Sequence, residues 1–141
     1  MPARRWLLLL GSNLAGPERI RRALETLAVL GPVKALTPIE RMPARGDSSR
    51  FYYNALAALD CDLDRDALRA QLKRIELELG RVRDGSGRVA IDIDVLAMQA
   101  NGRWLADPHA LEKNEFTQTP ARELIEAAAI MVDMGSPGNE G

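Results

Sequence analysis

Two aspartates, Asp92 and Asp94, stand two positions apart inside the apolar run of residues 89–98. The run has the composition of a β-strand, and a strand alternates its faces, so both carboxylates should point the same way, roughly 6.6 Å apart. Carboxylates held this close on a buried strand repel each other unless a cation lies between them. Mg²⁺ is usually bound by one or two carboxylates together with substrate phosphates. The pair therefore indicates a magnesium site or, on an exposed face, only solvated charge.

Three arginines lie just upstream of this strand, on a segment that contains glycine: Arg81, Arg83 and Arg88. A guanidinium group binds phosphate oxygens through paired hydrogen bonds. Arginines for phosphate beside carboxylates for metal favour a site for a magnesium-bound nucleotide. The same segment contains Asp84, with which Arg83 could form a surface ion pair instead.

The composition is that of an ordinary single domain, with 141 residues, 46% of them hydrophobic, and a net charge of -1. This balance gives no general attraction to nucleic acid or to an anionic membrane. The lone cysteine, Cys61, allows no intrachain disulfide and fits a reducing compartment, and with a single histidine it excludes a His/Cys zinc cluster. The apolar run of residues 6–10 is too short for a signal peptide, and nothing approaches the ~20 residues of a membrane helix. We expect a cytoplasmic monomer with no nucleic-acid or membrane partner.

Apolar periodicity predicts the elements that must position the aspartates and arginines. Strands are predicted over residues 6–10, 33–41, 51–59 and 89–98, and helices after Pro17, Asp64 and Thr119. Pro38 indicates an edge strand or a bulge, and residues 42–50 are predicted to form a loop. Asn101-Gly102 predicts a hairpin.

The order strand, helix, strand, strand, helix, strand is the ferredoxin-like βαββαβ pattern. It predicts an α+β fold with an antiparallel sheet and helices packed on it, followed by a C-terminal hairpin and helix. We expect one domain over residues 1–132 and a disordered tail over residues 133–141.

An ordered set of short motifs runs along residues 6–125. They are Leu10-Gly11-Ser12-Asn13-Leu14, Arg41-Met42-Pro43, Tyr52-Tyr53-Asn54, Ile75-Glu76, Gly80-Arg81-Val82-Arg83, Ile91-Asp92-Ile93-Asp94 and Asp107-Pro108-His109. In this order and spacing they resemble the 6-hydroxymethyl-7,8-dihydropterin pyrophosphokinase family of folate biosynthesis. The resemblance implies transfer of a pyrophosphoryl group from ATP, the co-substrate, to the hydroxymethyl group of the pterin, with release of AMP.

The resemblance also implies roles for individual residues. Two Mg²⁺ ions would be held by Asp92 and Asp94, and the catalytic set would be Arg81, Arg88, Asp92 and Asp94. ATP would be bound by Glu76, Arg81, Arg83 and His109. The pterin would be bound by Met42, Pro43, Arg45, Tyr52, Asn54 and Phe116.

These roles have simpler alternatives. The aromatic rings of Tyr52 and Phe116 could stack on a flat heterocycle or belong to the core. Glu76 could be a solvated helix position, and His109 could only complete a turn. Asn54 is harder to explain without a ligand, because an unpaired buried amide costs roughly 1–3 kcal/mol.

The chain departs from the family pattern around the phosphates. The family's second catalytic arginine lies three residues before the first aspartate, where this chain has Val89, so Arg88 is one position further away. Met42 replaces a usual threonine, and Glu115 falls near a position where the family often has arginine. These departures leave open a relative that binds nucleotide or pterin without turnover. A third alternative is a ferredoxin-like interaction module in which the aspartate pair has no metal.

Overall fold

The structure is a computed structural model that describes residues 3–14, 16–44, 46–80 and 88–135. In chain order the elements are β1 (Arg4–Ser12), α1 (Glu18–Leu27), β2 (Val33–Ala35), β3 (Glu40–Ala44), β4 (Asp47–Cys61), α2 (Arg65–Glu78), β5 (Asp92–Ala100), β6 (Arg103–Ala106), α3 (Pro108–Glu112), α4 (Ala121–Ala127) and β7 (Val132–Asp133). A 3₁₀-turn, Glu115–Thr117, lies between α3 and α4. None of the helices in these ranges has the length and apolarity needed to cross a membrane.

The strands form one sheet in the order β2-β4-β1-β5-β6-β7, and β3 also pairs with β4. The pairings are antiparallel except between β6 and β7, which run parallel. The prediction of an α+β fold built on a mostly antiparallel sheet is confirmed. The long strands β1, β4 and β5 lie side by side at its centre.

Each face of the sheet carries its own apolar core. The first core lies under α1 and α2, whose buried residues are the periodic ones of the sequence: Ile20, Ala23, Leu27, Leu68, Leu72, Ile75 and Leu79. The second core lies on the opposite face, under α3 and α4, and includes Leu7, Leu9, Leu56, Leu96 and Leu124. Helix α2 begins as predicted, because the Asp64 side chain accepts a hydrogen bond from the Ala67 N–H at 2.8 Å.

The predicted strand over residues 33–41 is two strands, β2 and β3, which follow each other along the outer edge of β4. Pro38 lies in the break between them. The buried Thr37 hydroxyl there accepts the Leu56 N–H at 3.1 Å, so a side chain replaces a lost backbone partner. Pro38 does mark an edge position, where a missing donor is tolerated.

The prediction of a loop over residues 42–50 is wrong. Residues through Ala44 continue β3, and β4 already begins at Asp47, with Met42 opposite Tyr52 and Pro43 opposite Phe51. Proline and glycine suggested a loop, yet both are compatible with an edge hairpin. The hairpin carries Met42 and Pro43 on one strand and Tyr52 and Asn54 on the other, all of them predicted pterin residues.

The chain after β6 contains elements that the sequence did not predict, namely α3, the 3₁₀-turn and β7. Asp133, the first residue of the predicted tail, ends β7, and its carboxylate forms an ion pair with Arg103. The tail prediction for residues 136–141 lies outside the described residues.

Candidate functional site

Asp92 and Asp94 occupy the first and third positions of β5, opposite Gly11 and Leu9 of β1. Both side chains are half-buried on the face of the second core. The intervening Ile93 points into the first core. The two carboxylates therefore share one face, as strand alternation predicts.

The environment of these carboxylates disfavours two negative charges. Burial, then the charge of Asp92 and a hydrogen bond with it, raise the pKa of Asp94 to about 8, which nearby Lys113 opposes and Glu115 reinforces. Glu115 is itself buried, and Lys113 Nζ lies 3.5 Å from its Oε2. A divalent cation would remove this repulsion, so the donor set fits Mg²⁺.

The described residues supply few ligands for such a cation. Among them no group of three or more His, Cys, Asp or Glu side chains is arranged to hold a metal. Asp92 and Asp94 would thus leave most coordination positions to other oxygens. This is the usual situation for Mg²⁺ bound together with substrate phosphates.

One cavity, of about 320 Å³, lies between α2, β5 and α3, and we call it the basic cavity. Its lining includes four cations, Arg65, Arg69, Lys73 and Lys113. The first three recur every four positions along α2 and so share one side of that helix. His109 and the two aspartates line the same cavity. A cationic wall that ends at paired carboxylates is complementary to a polyphosphate with bound metal.

Glu76 lines the basic cavity from α2 and is buried. Its Oε2 accepts the Ile93 N–H at 2.8 Å, which links α2 to the start of β5 between the two aspartates. The interpretation of Glu76 as a solvated helix position is therefore wrong. The side chain fixes the strand segment that carries the carboxylates.

A second cavity, of about 380 Å³, lies over β1 and β4, and we call it the strand cavity. Tyr52, Asn54 and Pro43 line it, and Asn54 is buried. Within the described part of the chain, the Asn54 Nδ2 donates a single long hydrogen bond of 3.4 Å, to the carbonyl of Tyr52 two positions earlier. A buried amide with polar capacity to spare beside an aromatic ring suits a flat, polar-edged ligand.

Gly11 separates Asn54 from Asp92, because it pairs with Asn54 on one side and with Asp92 on the other. A Cβ atom at Gly11 would lie 3.0 Å from Asn54 Oδ1 and 3.9 Å from the Tyr52 ring. The missing side chain keeps a flat floor between the amide and the carboxylate. A side chain at this position would require the Asn54 amide to shift by a few tenths of an ångström.

The two cavities meet at a common set of side chains: Asp92, Asp94, Lys113 and Glu115 line both. A ligand in one cavity and a ligand in the other would therefore face each other across the two aspartates. This junction is where a group could pass from one ligand to the other.

Several predicted site residues are not tested by the described lining of the two cavities. Arg45, Arg81 and Arg83 lie outside the described residues. Met42 and Phe116 are half-buried against the second core. Their predicted contacts with a pterin stay predictions.

Arg88 is exposed and is not among the described lining residues of either cavity. The next residue is tied to the end of β1, since the Val89 N–H donates to Asn13 Oδ1 at 2.6 Å and the Asn13 N–H donates to the Val89 carbonyl at 2.9 Å. Through these bonds the Asn13 residue holds the segment before β5 against the end of β1. They also fix the point from which Arg88 extends.

Sequence reasoning missed the cations of the basic cavity and the role of Asp107. The spacing of Arg65, Arg69 and Lys73 was a usable signal, since charges four apart on a helix share a side. Asp107 and Lys113 gave no such signal, because their elements were not predicted. Asp107 lines the basic cavity and caps α3 by accepting the His109 N–H.

Comparison with known proteins agrees with this geometry. Residues 7–126 match the family described as 7,8-dihydro-6-hydroxymethylpterin-pyrophosphokinase. Two similar proteins named 2-amino-4-hydroxy-6-hydroxymethyldihydropteridine pyrophosphokinase come from Pseudomonas aeruginosa (40% identical over 135 residues, 91% of this chain and 81% of the relative) and Methylorubrum extorquens (33% over 130 residues, 89% and 81%). A third, of the same name, from Haemophilus influenzae is 29% identical over 126 residues, 83% of this chain and 79% of the relative.

The match spans most of the chain and includes both cavities and the aspartate pair. The resemblance seen in the sequence motifs is confirmed, and the alternative of an unrelated interaction module is not supported. The chain belongs to the 7,8-dihydro-6-hydroxymethylpterin-pyrophosphokinase family, transferases of folate biosynthesis.

Proposed function

We propose that the chain transfers a pyrophosphoryl group from ATP to the hydroxymethyl group of 6-hydroxymethyl-7,8-dihydropterin and releases AMP. The observation that carries this proposal is the junction of the basic cavity and the strand cavity at Asp92 and Asp94. A donor in one cavity and an acceptor in the other would approach in line across these carboxylates.

Asp92 and Asp94 would hold magnesium at this junction, and we propose two ions. Bound magnesium would neutralise charge on the phosphates during the displacement. The chain's own contribution is to keep two carboxylates on one face of a fixed strand. Glu76 supports this by accepting the Ile93 N–H between them. Catalysis of such transfers is mostly positioning and electrostatic stabilisation.

The basic cavity would bind ATP. Arg69 and Lys73 on α2 and Lys113 beyond α3 offer cations to its phosphates, in addition to the Arg81 and Arg83 expected from the family motif. His109 lines the same cavity and would contact the nucleotide. Arg88 would supply further charge stabilisation on the transferred group.

The strand cavity would bind the pterin. Tyr52 offers a ring for stacking, and Asn54 offers an amide that can both donate to and accept from the pterin edge. The family pattern adds Phe116 as the second ring, with Met42, Pro43 and Arg45 on the hairpin side. Gly11 keeps the floor flat enough for a planar ring.

We also propose that the first five strands and two helices form a ferredoxin-like unit in which β2 and β3 together act as its second strand. The order of β4, β1 and β5 in the sheet supports this. The protein would act as a monomer in the cytoplasm, with small molecules as its partners.

Product analysis tests the proposal. Incubation of the purified protein with Mg²⁺, ATP and the pterin should yield AMP and a pyrophosphorylated pterin in equal amounts. ADP in place of AMP would refute pyrophosphoryl transfer. Binding of both ligands without AMP would identify a relative that kept the site and lost the chemistry.

A further inference from the structure

Asp107 is a buried carboxylate that connects three elements around the basic cavity. It lies between β6 and α3, and its N–H donates to the Leu96 carbonyl of β5 at 2.8 Å. Its side chain accepts two hydrogen bonds from the Arg65 guanidinium at the start of α2, the Nη2 bond being 2.9 Å long. Helix α2, strand β5 and the start of α3 are thus joined through one residue.

The same carboxylate caps α3, because Asp107 Oδ2 accepts the His109 N–H at 3.1 Å. Helix α3 has only five residues, so it cannot hold its position by helix stability alone. The direction of α3 sets where His109 and Lys113 enter the basic cavity. Arg65 and Asp107 each line the basic cavity themselves, and their ion pair also positions the other lining residues that α3 carries.

The ion pair between the Asp107 carboxylate and the Arg65 guanidinium stabilises the contact between α2 and α3. Burial raises the pKa of the Asp107 carboxyl, but the hydrogen bond and charge of Arg65 and the N–H groups of Ala110 and His109 outweigh burial, so the pKa lies below its usual range. The carboxylate is ionised at neutral pH, and removing Arg65 would leave a buried charge unpaired.

We infer that Arg65 and Asp107 are positioning residues for the nucleotide: their ion pair holds α3 against α2 and thereby sets His109 and Lys113 in the basic cavity. This inference rests on the proposal that the basic cavity binds ATP. Its effect passes through the backbone of α3, which carries His109 and Lys113 into the basic cavity, whereas only Lys113 of the two also lines the strand cavity, so the loss of affinity should be much larger for ATP than for the pterin.

The chain offers a matched control. Arg5 and Asp60 form an ion pair of the same two-bond geometry, with distances of 2.7 and 3.0 Å, between β1 and β4. Neither residue is among the described lining of the two cavities. Asp60→Asn and Arg5→Lys therefore remove an equivalent pair away from the proposed site.

The test measures the dissociation constants of Mg-ATP and of the pterin by calorimetry, without need of turnover. Asp107→Asn keeps the size of the side chain, and Arg65→Lys keeps the positive charge but loses the two parallel hydrogen bonds of the guanidinium. Each should weaken Mg-ATP binding about tenfold while changing pterin binding less than about twofold. The double variant should be little weaker than the Asp107→Asn single variant, because both act through one connection. Asp60→Asn and Arg5→Lys should change neither constant.

Unchanged Mg-ATP affinity in both Asp107→Asn and Arg65→Lys would overturn the inference, as would equal loss of ATP and pterin binding. If Asp107→Asn does not fold, Arg65→Lys decides alone, since Arg65 is half-exposed. Wild-type protein that binds no Mg-ATP would instead refute the proposed function, and the inference with it.

Discussion

The paired carboxylates of Asp92 and Asp94 are the residues on which the proposed chemistry depends most. They stand half-buried on one strand face, and the cations that line the basic cavity with them belong to other elements. Such a pair destabilises the metal-free protein and is stabilised by a cation. The same two residues should therefore govern both metal binding and pH-dependent stability.

The metal-free protein should lose stability as pH rises. The folded pKa of Asp94 is about 8, above its ordinary value of 3.8, so the stability contributed by the protonated carboxyl is present below 3.8 and is lost as pH rises to about 8. Asp94→Asn should abolish that decline, and Mg²⁺ should stabilise the wild type more at the upper end of the window. Thermal unfolding in chelator and in Mg²⁺ across this range measures both effects. An identical pH profile for wild type and Asp94→Asn would contradict the assignment.

Gly11 gives a prediction for the strand cavity alone. In Gly11→Ala the added Cβ would lie 3.0 Å from Asn54 Oδ1, so either the Asn54 amide or the β1 backbone must shift. We expect the pterin to bind about tenfold more weakly, from overpacking, while Mg-ATP affinity stays within about twofold. Calorimetry with each ligand separates the two constants. Equal pterin affinity in both proteins would show that Gly11 does not border the pterin.

At the scale of elements, α2 carries the cationic wall of the basic cavity on one side only. Lys73 and Arg74 are both exposed, and of the two Lys73 lines that cavity, whereas Arg74 is not among the described lining residues. Lys73→Gln should weaken Mg-ATP binding about three- to tenfold at low salt, and the difference should shrink at high salt because exposed charges are screened. Arg74→Gln is the control with the same charge change. Equal effects of the two variants would mean that α2 attracts ATP only by net charge.

Local signals predicted several elements well. Asn101-Gly102 produces the β5–β6 hairpin, with positive φ values of 52° and 75° that suit asparagine and glycine. Asp64 caps α2 by accepting the Ala67 N–H, from a residue only three positions along the chain. The hairpin of β3 and β4 was misjudged because Pro43 and Gly46 are turn residues that an edge hairpin also accepts.

Contacts between residues far apart in the chain could not be predicted. Asp107 meets Arg65 across 42 positions, and its element, α3, is too short to give a periodic signal. The motifs did indicate the aspartate pair, Tyr52 and Asn54, all of which line a cavity. They gave no sign that Lys113 and Glu115 would line both cavities.

In the molecule as a whole, helices cover an apolar core on each face of the sheet. The first core lies under α1 and α2 and the second lies on the opposite face, whereas the basic cavity is bordered by α2, β5 and α3 and the strand cavity lies over β1 and β4. The net charge is only -1, so the cationic wall is a local feature of the site. Helix α2 therefore contributes both to the first core and to the cationic wall of the basic cavity.

Asp92 and Asp94, at the junction of the cavities, should carry the transfer from ATP to the pterin. The most direct measurement is the rate of AMP formation by Asp92→Ala beside Asp62→Ala, an exposed aspartate just beyond β4. We predict that Asp92→Ala loses turnover about a thousandfold while its circular dichroism is unchanged, since a metal contribution of several kcal/mol is removed with little packing. If Asp92→Ala turns over as fast as Asp62→Ala, the junction does not carry the chemistry.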